Sequence, residues 1–360
     1  MAAYALKILL FALLALGAQI LLTLDYSWRP PSEGGGSLAG LAGAFSVKLP
    51  SADTYRPDSQ ILAFQGLMKT HPRLGFTFRE NLGKEGPLNL KWADQDVGTV
   101  TTDASGFVNS PYAIAARREG KRIRILGVGS SFMQGAAAKF HDFFWAKGVF
   151  YYSMATPRHT LPQFTAAVRE YAVRERPEWI LYDLNETSFE LMQDYENWSK
   201  SGIDWFTYHS GTWCGPPRRV APFFFRDHPG LDALYRGVRR KIAPPAPLPK
   251  ASPEDNARMA LGHILSARDA AREKGIRLLV VAIPSKDAAV YGRSEGWKNV
   301  EALLPMLRES GVEVLDLKPL FADEEDPRTL YYKVDAHWND YGIFKAGLAI
   351  TQYLSRAGHP

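Results

Sequence analysis

From residue 122 onward, short apolar runs alternate with longer stretches in which apolar residues recur at helical spacing, and few folds accommodate that rhythm. The runs 122–128 (RIRILGV), 149–153 (VFYYS), 179–184 (WILYDL), 276–283 (IRLLVVAI) and 312–317 (VEVLDL) are rich in β-branched and aromatic residues and too short to be helices. Helical patterns occupy 132–147, 161–176, 253–274 and 297–310, and a last one covers 340–354. Strands separated by helices return to one sheet through right-handed crossovers. The expected fold is therefore α/β, a three-layer flavodoxin-like sandwich around a parallel sheet of about five strands, with its ligand site at their carboxyl ends. Cys214 is the single cysteine, so no intrachain disulfide braces this core and packing must hold it.

Two stretches break the rhythm. Residues 50–120 are rich in Gly, Thr and aromatics with patches of alternation, which suggests a small β-rich extension on a main domain spanning 121–360. Residues 187–250 begin aromatic and acidic and turn Pro- and Arg-rich, reading as an insertion after the third strand. Within it, 218–241 carries a cationic stretch and Phe223-Phe224-Phe225 an aromatic run. The first is expected to form either a rim for anionic glycan or lipid headgroups or a solvated charged face, and the second to meet lipid or to pack within a loop.

At the amino terminus, residues 2–24 are interrupted only by Tyr4, Lys7, Gly17, Gln19 and Thr23. A run of about 20 apolar residues suffices to cross a bilayer as a helix. Lys7 and the free amine precede it and Asp25 follows, so the positive-inside rule places the bulk of the chain outside the cytoplasm. Residues 1–26 are thus expected to be a transmembrane anchor, with a cleaved signal peptide as the alternative, and 27–49 a Gly- and Ser-rich tether. The 43 basic and 38 acidic residues are mixed along the chain for a net charge of +5, and no aromatic-plus-basic RNA motif accompanies them. Nucleic acid is therefore not an expected partner. Zinc-ligand spacings and phosphate-cradling glycine loops are equally missing from the sequence, so no metal or cofactor is expected.

Chemistry concentrates in two places. The first strand runs into GVGSSFMQG, where Ser131 stands between the carboxyl end of a strand and the start of a helix, a position suited to a nucleophile beside the unpaired helix N–H groups. Taken alone, Gly-Ser-Ser before a helix is equally a cap. Near the other end, DAHWNDYG places Asp335 and His337 two residues apart just before the last helix. In a loop both side chains can face one way, the carboxylate orienting the imidazole and the imidazole taking a proton from Ser131. A surface loop with an Asp cap is the plainer alternative. The remaining histidines, His159 among them, read as surface or packing residues.

These stretches resemble the conserved blocks of the SGNH (GDSL-like) hydrolases. GVGSSFMQG is similar to the first block, residues 152–163 (YSMATPRHTLPQ) to the second, RPEWILYDLNE at 176–186 to the third, and DAHWNDYG to the last, in the family's order. The resemblance extends over roughly 70–356. It implies Ser131 as nucleophile, His337 as base, Asp335 as the acid that orients it, and an oxyanion site formed by the Ser131 backbone N–H, Asn185 and the backbone at Arg158. Arg158 and Trp338 are the expected substrate contacts. The chain departs from the family pattern at Ser130, where the block has Asp, at Arg158, where it has Gly, and at Ser153, where it has Asn. The implied activity is hydrolysis of an acyl ester, or transfer of an acyl group such as acetyl to a sugar hydroxyl, through an acyl-serine. The expected substrate is a cell-envelope or exported polysaccharide or another acylated carbohydrate, and transfer would require an integral membrane acyltransferase as partner. A degenerate glycan-binding or assembly protein and a lipid esterase or thioesterase are the other readings.

Overall fold

Five strands, β5 (Ile125–Val128), β6 (Tyr151–Ser153), β7 (Trp179–Leu184), β8 (Arg277–Ala282) and β9 (Glu313–Asp316), pair in the order β6-β5-β7-β8-β9, all parallel. β5, β6 and β7 are buried along their whole length while β9, at the edge, is only half-buried, which is why the inner strands read as unbroken apolar runs. The computed structural model describes residues 67–83, 88–92, 95–189, 192–201, 251–292, 294–332 and 336–357. These belong to one compact unit.

Side chains alternate between two cores. Leu126, Val128, Ile180, Tyr182, Val280 and Ala282 point toward one layer, which contains the helices Leu161–Ala167, Pro253–Arg272 and Trp297–Glu309. Ile125, Trp179, Leu181, Leu279 and Val281 point to the other, where Ala137–Trp145 packs against Asp340–Arg356. The helices begin where their sequences carry caps. Ser252 accepts from the Asp255 N–H with Pro253 at the first position, Thr160 and Gln163 form a capping box, and the Asn339 side chain accepts from the N–H groups of Tyr341 and Gly342. The expected three-layer sandwich and its five strands are thus present.

Three local differences have physical causes. The helix expected over 132–147 divides at Ala136 into α2 (Ser131–Gly135) and α3 (Ala137–Trp145), because the first turn is tied down at the sheet edge while the remainder packs on the sheet. The helix beginning at Leu161 passes through a π-helical turn at Val168–Ala172. A further helix, α1 (Pro111–Arg118), begins at the Ser110 cap with Pro111 at its first position, inside the stretch assigned to a β-rich extension.

The extension itself contains two antiparallel hairpins, β1 (Met68–His71) with β2 (Gly75–Phe78), and β3 (Leu88–Trp92) with β4 (Gln95–Val100). Its attachment to the main domain is polar as well as apolar. Leu74 and Phe107 enter the first core, and the Asn109 side chain exchanges two hydrogen bonds of 2.8 Å with the Ser153 backbone. Gln163 donates from Nε2 to the Leu74 carbonyl, and buried Asp103 accepts from Arg117 and from the Tyr152 hydroxyl. In the insertion, a helix covers Met192–Ser201. The expected anchor and tether, Cys214, the cationic stretch at 218–241 and the phenylalanine run at 223–225 lie outside the described residues. Among the described residues no helix is long and apolar enough to cross a membrane.

His159 joins hairpin and domain from a fully buried site, its Nε2 donating to the Phe76 carbonyl at 2.8 Å and its ring lying edge-on to Phe76. Burial drives its pKa down to about 3, further lowered by nearby His71 and opposed by the Phe76 hydrogen bond. A histidine held neutral when folded but free to protonate when unfolded contributes stability above its ordinary pKa, and that stability fades as pH falls toward the folded value. Between about pH 7 and about pH 5, His159→Gln is expected to lose about 2 kcal/mol less unfolding free energy than the parent protein, as measured by urea denaturation. Equal losses in both would show that His159 titrates normally.

Candidate active site

The order of the strands reverses direction at β5 and β7, and in open α/β sheets that switch point is where a crevice opens. At this point the end of β5 approaches β7 closely. A Cβ on Gly129 would lie 2.3 Å from the Asp183 Cβ and 2.6 Å from its Oδ2, so only glycine lets the chain pass. Ser130 then caps α2 with its side chain turned inward, and Ser131 opens the helix with its side chain at the half-buried edge.

Ser131 Oγ lies 2.7 Å from His337 Nε2, joining residues 206 positions apart. The turn that delivers His337 is held from several sides. Tyr331 and Trp338 form a β-bridge, the Lys286 N–H donates to the Ala336 carbonyl, and Lys286 Nζ donates to the Tyr332 carbonyl. Asn339 Nδ2 donates to the carbonyls of Thr329 and Tyr331. Gly342 is needed because a Cβ there would stand 2.4 Å from the Leu330 carbonyl oxygen and 3.0 Å from the Trp338 Cβ. The His337 ring also lies against the Phe132 ring, centroids 4.5 Å apart.

Other expected residues are placed as follows. Asp335 lies outside the described residues. Trp338, the expected substrate contact, lies in the core. It is 2% exposed, packs against Phe132, Phe140 and Phe321, and donates from Nε1 to the Phe132 carbonyl at 3.0 Å. Its size and its one N–H thus tie the His337 turn to the helix that carries Ser131. Asn185 stands at the end of β7 as expected, but it offers no amide hydrogen to an oxyanion in this arrangement. Its Nδ2 donates to Ser130 Oγ and to Asp183 Oδ1, each at 2.8 Å, while its Oδ1 accepts from the N–H and hydroxyl of Thr187.

Arg158 keeps the backbone feature expected of a glycine. Its φ is 63°, in the left-handed region, while its side chain is exposed. The loop leading to it continues the register of β6, with the Met154 N–H donating to the Gly127 carbonyl and the Thr156 N–H to the Gly129 carbonyl, so the chain stays beside the turn that leads to Ser131.

Sequence reasoning passed over Asp183, although an acid within the otherwise apolar run WILYDL was a readable signal. It is fully buried, and burial pushes its carboxyl above the usual aspartate range, opposed by hydrogen bonds from the Ser130 N–H and hydroxyl, Asn185 and the Met133 N–H. Among the described residues no group of three or more His, Cys, Asp or Glu is placed to hold a metal. A cleft of about 500 Å³ lined by Lys121, Arg122, Arg124, Trp145 and Glu178 opens at the amino-terminal edge of the sheet, away from Ser131.

A serine in the first turn of a helix at the carboxyl edge of a parallel sheet thus faces a histidine from just before the last helix. Residues 247–359 match the family described as SGNH hydrolase-like domain, acetyltransferase AlgX, so this part of the chain is similar to the SGNH hydrolases and to acetylation proteins among them. A stretch of 100 residues is 28% identical to the alginate biosynthesis protein AlgX of Pseudomonas aeruginosa, covering 25% of this chain and 21% of AlgX. The match therefore spans about a fifth of that relative's length.

Among solved structures, a GDSL-like lipase from Bacteroides thetaiotaomicron is 13% identical, covering 68% of this chain and 98% of its own, with a TM-score of 0.40. The lipase/acylhydrolase from Enterococcus faecalis is 10% identical over 65% of this chain and 97% of its own, at 0.39. A catalytic mutant of the acetylxylan esterase Axe2 from Geobacillus stearothermophilus is 10% identical over 66% and 95%, also at 0.39.

Gly342→Ala forces its methyl into the Leu330 carbonyl and the base of Trp338. The variant is expected to be less stable by about 1–3 kcal/mol in chemical denaturation. Unchanged stability would mean that the turn carrying His337 is looser than these contacts imply.

Proposed function

We propose that the chain is an extracytoplasmic acyl-transfer enzyme acting through an acyl-Ser131 intermediate on ester-linked acyl groups, acetyl first among them, of cell-envelope or exported polysaccharide. The 2.7 Å contact between Ser131 Oγ and His337 Nε2 carries this reading. That distance lets the imidazole take the hydroxyl proton as Oγ attacks an ester carbonyl. The tetrahedral intermediate then expels its alcohol, which takes the proton from His337 as the acyl-serine forms. In the second half the imidazole deprotonates the acceptor, and attack on the acyl-serine restores Ser131. Water as acceptor makes an esterase, and a sugar hydroxyl makes an O-acyltransferase.

Asp335, two residues before His337, is assigned to orient the imidazole. The Ser131 N–H sits at the first helical position, where no carbonyl of its own helix can bond it, and the backbone at Arg158 supplies a second donor for the oxyanion. The Arg158 side chain is assigned to the substrate. The family and relative named for acetyltransfer and alginate biosynthesis support a polysaccharide substrate. An apolar amino-terminal segment supports attachment to the outer face of a membrane, beside an integral membrane acyl donor if the reaction is transfer. A second reading, glycan binding without turnover, is favoured by the occupied amide of Asn185.

Ser131→Ala separates the two. The parent protein is expected to release p-nitrophenol from p-nitrophenyl acetate, and the variant to lose at least about 10³-fold in kcat. Hydrolysis that survives the substitution removes Ser131 from the mechanism, and an inert parent protein favours the binding reading.

A further inference from the structure

Ser131 owes its direction to a helix of five residues, too short to set its own orientation, so its neighbours must set it. On one side, Phe132 is held through its carbonyl by Trp338 Nε1 at 3.0 Å. On the other, Ser130 is held by Asp183 Oδ2, which accepts from the Ser130 N–H at 2.8 Å and from its hydroxyl at 2.7 Å. Oδ1 of the same carboxylate accepts from Asn185 Nδ2. Asn185 closes the ring by donating to Ser130 Oγ. A fully buried carboxylate is costly unless donors surround it, and one of these donors is the Ser130 backbone N–H at the start of α2, where negative charge is also favoured by the helix dipole.

We infer that Asp183 is a positioning residue for Ser131, fixing from β7 the first turn of α2 so that Oγ faces His337. The inference rests on the acyl-serine reading for its catalytic consequence, though not for its geometry. No other described acid bonds this turn, and Asp183 acts on Ser131 through Ser130, while Ser131 Oγ itself meets His337 Nε2.

Asp183→Asn keeps the volume but replaces one acceptor oxygen with an NH₂ group, which must face either the fixed Ser130 N–H or the Asn185 amide, donor against donor. The turn then shifts, and misplacement by about 1 Å costs on the order of 10²-fold in rate. The expected result is a fall of about 10² in the rate of fluorophosphonate labelling at Ser131 and in kcat for p-nitrophenyl acetate, with KM little changed. Ser130→Ala, which removes only the hydroxyl link, is expected to fall by about tenfold. Exchanging the pair, Ser130→Asp with Asp183→Ser, returns a carboxylate and hydroxyl to the same space and is expected to recover part of what Asp183→Ser alone loses.

A purely structural role would lower Tm while leaving the labelling rate per folded molecule intact, and that outcome overturns the inference. If Asp183→Asn does not fold, a normal labelling rate in Ser130→Ala overturns it instead. ¹⁵N NMR of the His337 ring reads the Ser131 contact without turnover. Asp183→Asn, or Ser130→Ala in its place, is expected to move the Nε2 signal toward its position in Ser131→Ala, and an unmoved signal overturns the inference. Should the parent protein neither label nor hydrolyse, the acyl-serine reading fails while the NMR result still decides the role of Asp183.

Discussion

The site depends on one contact, the close approach of the end of β5 to its neighbour β7. Parallel strands deliver all their carboxyl ends to one edge, and the reversal of strand order sends the neighbouring crossovers to opposite faces, the place where such sheets open a crevice. Gly129 permits the approach, Asp183 and Asn185 rise from β7 to meet it, and Ser130 turns inward to close a ring of hydrogen bonds beneath the helix start. Because that ring uses every polar hydrogen directed into it, the neighbouring Ser131 is the hydroxyl left at the edge. Its partner comes from the far end of the chain.

The second half of the constellation is built by a different principle. No strand carries His337; a turn does, and a turn of polar residues has little stiffness of its own. Rigidity is borrowed from the interior. The buried indole of Trp338 fills the space between α2, α3 and the Phe321 side chain, and its N–H reaches the carbonyl of Phe132, the residue after Ser131. Asn339 bonds carbonyls behind the turn with its amide and caps the last helix with its oxygen. Three consecutive residues thus divide the work: His337 faces the crevice, Trp338 the core and Asn339 the helix. Covalent neighbours on both sides of the crevice, Ser130 with Phe132 and Trp338 with Asn339, are fixed inward, so the reacting groups keep their register without being buried themselves.

Much of this was legible in the sequence. The strand runs around Ile125, Tyr151, Trp179 and Leu279 were readable because strands covered on both faces are apolar throughout, whereas the helix opened by Ser110 was not, because it lies in a stretch whose alternation read as strand. Ser131 and His337 were readable as candidates from local pattern. Trp338 was read as a substrate contact, and a large aromatic beside a histidine has the same sequence appearance whether it stacks on a sugar or, as here, packs in a core. Asn185 was read for what its amide can donate, while the structure shows to whom it already donates. Asp183 was overlooked because its meaning depends on Ser130, which lies 53 positions away.

Sequence alone determined the layering, the strand and helix segments and the chemical identity of the candidate residues, because these follow from periodicity, capping and side-chain type, all of which are local. The tertiary structure alone decided which oxygen and nitrogen meet, which polar hydrogens are already occupied, and that Arg158 holds a glycine-like φ of 63°. Those are properties of groups distant in the chain whose separations are set only when the sheet orders its strands and the last helix docks, and a one-dimensional pattern carries no measure of that distance.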